Sequence, residues 1–94
     1  MKVETIQVSI GGSHTIIVSG REAWALRALV AAGERGCTPI DTPGPRWSAY
    51  IHDLRRLGIV IETIRERHGG KFPGQHARYV LRSRVIIDHR QVAA

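Results

Sequence analysis

"RWSAYIHDLRRLGIVIET", residues 46–63, changes its apolar period part-way along. Trp47, Ile51, Leu54 and Leu57 recur every three or four positions, the spacing of a helix face. Past Gly58 the spacing falls to two, with Ile59 and Ile61 alternating with Val60 and Glu62. The spacing predicts a helix over 45–57 that Gly58 ends and a strand that starts at once. Gly44 and Pro45 suit its cap and first turn. Trp47, Ile51 and Leu54 are expected to face the core, flanked by Tyr50 and Leu57. Arg46, Ser48, Ala49, His52, Asp53, Arg55 and Arg56 are left outward.

Downstream, "HGGKFPGQ" is a glycine-rich loop, and "HARYVLRS" alternates again, so strand, polar loop and strand make a hairpin over 59–82. "RVIIDHRQVAA" reads as a short strand followed by a frayed tail. Upstream, "VETIQVSI" alternates with Ile6, Val8 and Ile10 on one side, "GGS" turns, and "HTIIV" follows in step, giving an N-terminal hairpin over 1–19. "SGRE" opens a helix, with Ser19 and Glu22 spaced as a capping box. Ala23, Leu26, Leu29, Val30 and Gly33 share one face of that helix, which Gly33 or Gly36 ends. Between the two helices, "CTPIDTPGP" has prolines at 39, 43 and 45, which exclude a regular helix interior. Thr38–Asp41 is expected to be extended, followed by a turn. The fold class is α+β: hairpin, helix, extended turn, helix, hairpin, tail.

At 94 residues the chain is expected to form a single domain, 1–94, made of the hairpin 1–19, a core and second hairpin 20–84, and a tail 85–94. Its 43% apolar and 23% charged content is that of a folded soluble protein, no run is long enough to cross a bilayer, and the start lacks the apolar stretch of a secretory signal. The expected location is the cytoplasm. Cys37, the one cysteine, has no internal disulfide partner and no CxxC setting; a small half-buried side chain is the expectation, a reactive thiol the alternative.

The net charge of +6 is not spread evenly. Residues 1–42 and 85–94 are each neutral, whereas residues 43–84 carry nine basic groups against Asp53, Glu62 and Glu66. A polyanion-binding surface segregates charge in this way.

A helix ending in Leu-Arg-Arg-Leu-Gly, followed directly by a basic hairpin with a glycine-rich tip, resembles the end of a winged-helix DNA-binding domain. The residues that carry the resemblance are "WSAYIHDLRRLGIVIET" and "HARYVLRS". It spans roughly 20–84, and the pattern resembles the small helix-turn-helix proteins common in bacterial and prophage genomes. The resemblance implies a winged-helix-like domain in which 45–57 is the recognition helix and the hairpin is the wing. Two departures stand out. "TPIDTPGP" occupies the place of the usual second helix, and the N-terminal hairpin is additional to the minimal fold.

On this resemblance the expected contacts are with duplex DNA. Arg46, Ser48, Ala49 and His52 would reach base edges in the major groove, and Arg55 and Arg56 the phosphates. In the wing, Arg65, Arg67, Lys71, Gln75, His76 and Arg78, with His68 beside them, surround a loop whose glycines permit close approach to the backbone. An arginine at the tip would suit the minor groove. A merely solvated helix face and an ordinary exposed hairpin are the alternatives. Phe72 either inserts at the tip or folds back on its hairpin, the latter being expected. Trp24, Trp47 and Tyr79 are expected to pack in the core.

Other chemistries find less support. His68 and His76 can approach across the wing, but no carboxylate or cysteine stands at ligand spacing, so no metal site and no cofactor are expected. "GGKFPG" lacks the Ser/Thr and the strand–loop–helix setting of a P-loop, and no acid–base pair stands out, so no enzyme and no small-molecule substrate are expected. The leading reading is a small bacterial or phage transcription regulator. It would bind as a homodimer, with the N-terminal hairpin either forming the dimer surface or closing over the first helix as core. A protein–protein interaction module within a larger assembly is the alternative, and RNA binding ranks below both.

Overall fold

The alternating runs at the start form a hairpin, as their period demands. In the computed structural model, which describes residues 4–12, 14–43, 46–70 and 73–88, β1 (Thr5–Ile10) and β2 (His14–Ser19) pair antiparallel from Thr5↔Ser19 to Ile10↔His14. Gly11 and Gly12 turn the chain with φ of 62° and 79°, a region that residues with a side chain rarely adopt. β5 (Val85–Asp88) lies antiparallel along the other side of β1, so the sheet order is β2-β1-β5. The strand expected early in 85–94 is thus the third strand of this sheet, and its tail, 89–94, lies outside the described residues. In this sheet, among the described residues, β2 and β5 are the edge strands.

Ile6, Val8 and Val18 turn inward and are buried with Ala23, Leu26 and Leu29 of α1 (Gly20–Ala32). The hairpin therefore closes over the first helix. Two details of that helix differ from expectation. Ser19 is its N-cap but makes no side-chain capping bond. The Gly20 N–H instead donates to the Glu4 carbonyl at 2.8 Å, so the strand ladder runs into the helix and sets its entry. The buried face includes Ala25, whereas Val30 and Gly33 are exposed.

After α1 comes one 3-10 turn, Gly33–Arg35, and then Gly36 passes under β4. A Cβ on Gly36 would stand 2.6 Å from the Tyr79 carbonyl oxygen, and its φ is 70°, so glycine is required there. Cys37 exchanges two backbone hydrogen bonds with Tyr79, both 2.9 Å. Burial raises the pKa of its thiol. The extended residue is thus Cys37, while Thr38–Asp41, expected to be extended, is a turn closed by its own side chains. The Asp41 carboxylate accepts the Thr38 N–H at 3.0 Å and the Thr38 hydroxyl at 2.9 Å, and the Thr38 oxygen accepts the Ile40 and Asp41 N–H groups. These bonds hold the Asp41 pKa below the usual carboxylate range. Among the described residues no helix occupies the place of a second helix, as the prolines require.

α2 (Trp47–Arg56) begins two residues later than the expected 45, with Arg46 as its N-cap; Gly44 and Pro45 lie outside the described residues. Trp47, Tyr50, Ile51 and Leu54 are buried, and Leu57, expected to flank them, is exposed. The Trp47 indole N–H donates to the Thr42 carbonyl at 2.7 Å, which fixes the chain entering the helix. β3 (Ile61–His68) and β4 (Gly74–Leu81) form the second hairpin, in register from Ile61↔Leu81 to His68↔Gly74. Tyr79 stacks on Trp47 at 6.1 Å and 23°, and Trp24 meets Trp47 at 5.4 Å and 47°. One aromatic layer therefore joins α1, α2 and the base of the wing, as expected of these three residues.

Candidate nucleic-acid interface

Helical geometry divides the exposed arc of α2. Ser48, His52 and Arg55 lie on one side of it, Asp53 and Leu57 on the other, with Ala49 and Arg56 between. Hydrogen bonds show which way each side looks. The Arg55 guanidinium reaches β3: its Nη2 donates to the Ile61 carbonyl at 2.6 Å and to the Thr63 hydroxyl at 2.9 Å, and its Nε donates to the same carbonyl at 3.2 Å. The first side therefore borders the wing. The second borders a groove shared with Ile17, Val18, Ser19 and Glu22 of the N-terminal hairpin and α1.

The wing has two faces of different character, because side chains alternate along each strand. Thr63, Arg65 and Arg67 share one face with Gln75, Ala77 and Tyr79 of β4. Tyr79 packs on Trp47 and Thr63 bonds Arg55, so this is the face that α2 borders. Arg65, Arg67 and Gln75 are exposed on it, and among the described residues neither arginine has an ion-pair partner. Ser48, His52, Arg55, Thr63, Arg65 and Arg67 thus line one continuous, exposed ridge.

The opposite face is self-neutralised. Glu62 pairs with Arg82 at 2.6 Å. Glu66 accepts the Arg78 Nε and Nη2 groups, both at 2.9 Å, and the His76 Nε2 at 2.8 Å. The Arg78 Nη1 donates onward to the Arg35 carbonyl at 2.7 Å, linking the wing to the 3-10 turn after α1. Arg78, and then His76, hold the Glu66 pKa below its ordinary value, and Glu66 in turn raises that of Arg78.

The acids of the wing are therefore drawn to one side, leaving bare cations on the other. Sequence spacing alone placed Arg65, Arg67, Gln75, His76 and Arg78 in one basic group. The structure brings Arg65, Arg67 and Gln75 together with the helix, and sets His76 and Arg78 on the reverse face. Arg46, at the N-cap, and Arg56 are exposed and without ion-pair partners among the described residues, and Ala49 is half-buried. Lys71 and Phe72 lie outside the described residues. Thr63, not singled out from the sequence, joins the ridge; its only signal there was parity with Arg65 and Arg67.

His68 and His76 do approach, Nδ1 to Nδ1 at 2.9 Å. Their ring centres are 5.0 Å apart, farther than the nitrogens by about one ring width, so the rings meet edge to edge. A contact of this kind holds one proton between a donor and an acceptor nitrogen. Two nitrogens bound to one tetrahedral zinc would stand roughly 3.3 Å apart. No group of three or more metal-ligating side chains is gathered among the described residues, and none of their helices is long and apolar enough to cross a membrane.

Comparison with curated proteins and with solved structures gives no match. A family model described as a winged helix domain matches residues 15–91, which takes in β2, both helices, the β3–β4 wing and β5. With its helix, adjoining basic hairpin and cationic ridge in place, the chain belongs to the winged helix domain family, of the small helix-turn-helix DNA-binding type.

Proposed function

We propose that this protein is a small, non-enzymatic transcription regulator of bacterial or phage type that reads duplex DNA in the cytoplasm as one domain. What carries the reading is the ridge along α2 and the wing, where among the described residues Arg55, Arg65 and Arg67 have no carboxylate partner while the acids of the wing are paired on the far side. In this reading α2 enters the major groove, with Arg46, Ser48, Ala49 and His52 at base edges and Arg56 at phosphate. Arg65, Arg67, Lys71 and Gln75 follow the backbone or the adjacent minor groove. His76 and Arg78 act by holding the wing.

The regulator acts as a homodimer through the open edge of β2. The Gly20–Glu4 bond pairs the even positions of β2 with β1, so Thr15 and Ile17 turn their backbone groups outward. That edge carries no proline and no lysine to discourage strand pairing. Selection from a random duplex library tests the assignment. It predicts a preferred, palindromic motif with half-sites about one helical turn apart. Recovery of unselected sequence would count against it.

One observation favours a second reading, a protein-docking module: the open groove beside β2, with Ile17 and Leu57 exposed between Glu22, Asp53 and Arg56. A protein that is not retained on duplex DNA at low salt, yet forms a stable complex with a purified protein partner, supports it.

A further inference from the structure

Arg55 carries two hydrogen-bonding edges of its guanidinium into the wing rather than into solvent. Its Nε and Nη2 converge on the Ile61 carbonyl and Nη2 also meets Thr63, across six and eight positions of chain. Ile61 is the first residue of β3, the point where the wing leaves the body of the protein. Among the described residues these are the side-chain hydrogen bonds between α2 and β3; beside them Trp47 of α2 stacks on Tyr79 of β4.

We propose that Arg55 is a positioning residue, which sets the angle between α2 and the wing so that the two halves of the ridge meet the same duplex. The proposal deepens the DNA-binding assignment and rests on it for its functional readout. Its chemistry needs a planar fork that can serve a carbonyl and a hydroxyl together. Arginine supplies that fork, and a lysine ammonium of the same charge does not.

Charge and geometry can therefore be separated. Arg55→Lys keeps the positive charge and nearly the same helix propensity while removing the fork. Thr63→Val removes one acceptor with no change of charge and keeps a β-branched residue in the strand. The measurements are affinity for a duplex, its salt slope, and residual dipolar couplings that report the α2–β3 angle in the DNA-free protein. Arg55→Lys is expected to weaken binding about tenfold, with the salt slope held and the angle broadened. Thr63→Val is expected to change both in the same direction by less. Wild-type affinity and an unchanged angle in Arg55→Lys would overturn the proposal, as would a salt slope that falls in Arg55→Ala alone. If the wild type ignores duplex DNA, the functional assignment fails, while the dipolar couplings still decide whether Arg55 holds the wing.

Discussion

Arg78 and Glu66 face each other across the wing in a two-pronged pair, Nε to Oε2 and Nη2 to Oε1, both at 2.9 Å. They belong to rungs two apart, Ile64↔Arg78 and Glu66↔His76, whose side chains share one face of the hairpin. The pair neutralises Glu66 on the face turned away from Arg65 and Arg67, and the third prong of Arg78, to the Arg35 carbonyl, ties the wing to the body.

Arg78→Met is expected to loosen β4 against the 3-10 turn while leaving the Trp47–Tyr79 contact in place. Amide hydrogen exchange along β4 reads the effect. Faster exchange at Arg78–Leu81, with α1 amides unchanged, is the expected outcome. Because the pair is only half-buried, the effect on thermal unfolding is expected to be smaller than that of a core truncation and to shrink further in high salt.

The same pair gives the wing a pH dependence of known sign. The folded-state pKa of Glu66 lies below its ordinary value, through the Arg78 bonds first and His76 second. A lowered carboxylate contributes stability above the ordinary carboxylate range, and that stability is lost as pH falls through the folded value. Asp41 behaves alike, held down first by the Thr38 N–H. Unfolding temperature is thus expected to fall on acidification through and below the ordinary carboxylate range. Glu66→Gln should flatten that acid limb. An acid limb of unchanged steepness in the variant would remove Glu66 from the account.

Leu54 tests the anchoring of α2. It is 0% exposed, on the inner face of α2. Leu54→Ala is expected to cost about 2–5 kcal/mol, measured by urea denaturation. Ser48→Ala, on the exposed side of the same helix, should stay within about 0.5 kcal/mol.

The two hairpins were readable from their period of two on either side of a glycine-bearing turn, and the two helices from their apolar period and the glycines at 33 and 58 just past their ends. The prolines at 39, 43 and 45 rule out a regular helix interior between α1 and α2. Features set by contacts between distant segments were not readable. The pairing of β5 with β1 joins the two ends of the chain, and no local signal marks it. Thr38–Asp41 passed for an extended run because its closure depends on hydroxyl and carboxylate bonds, not on backbone preference. The division of the wing cations depended on register. Arg65 and Arg78 look alike in the sequence, and only the rung assignments put one among bare cations and the other against Glu66. Arg55 is the same case: its place on an outward helix stripe was legible, and its bonds to Ile61 and Thr63 were not.

Base reading and backbone attraction are separable on this surface. Arg46→Ala is expected to relax sequence preference while leaving the salt dependence nearly intact, as measured by repeating the duplex selection on the variant. A motif as sharp as that of the wild type would move base recognition elsewhere on α2.

The most direct test of the cationic ridge is the salt dependence of duplex affinity for the wild type and for Arg65→Ala/Arg67→Ala. The account predicts a steep negative log–log slope for the wild type. It predicts a slope shallower by about 1.8 in the double variant, roughly 0.9 for each lost phosphate contact. A double variant that binds with wild-type affinity and wild-type slope would contradict it.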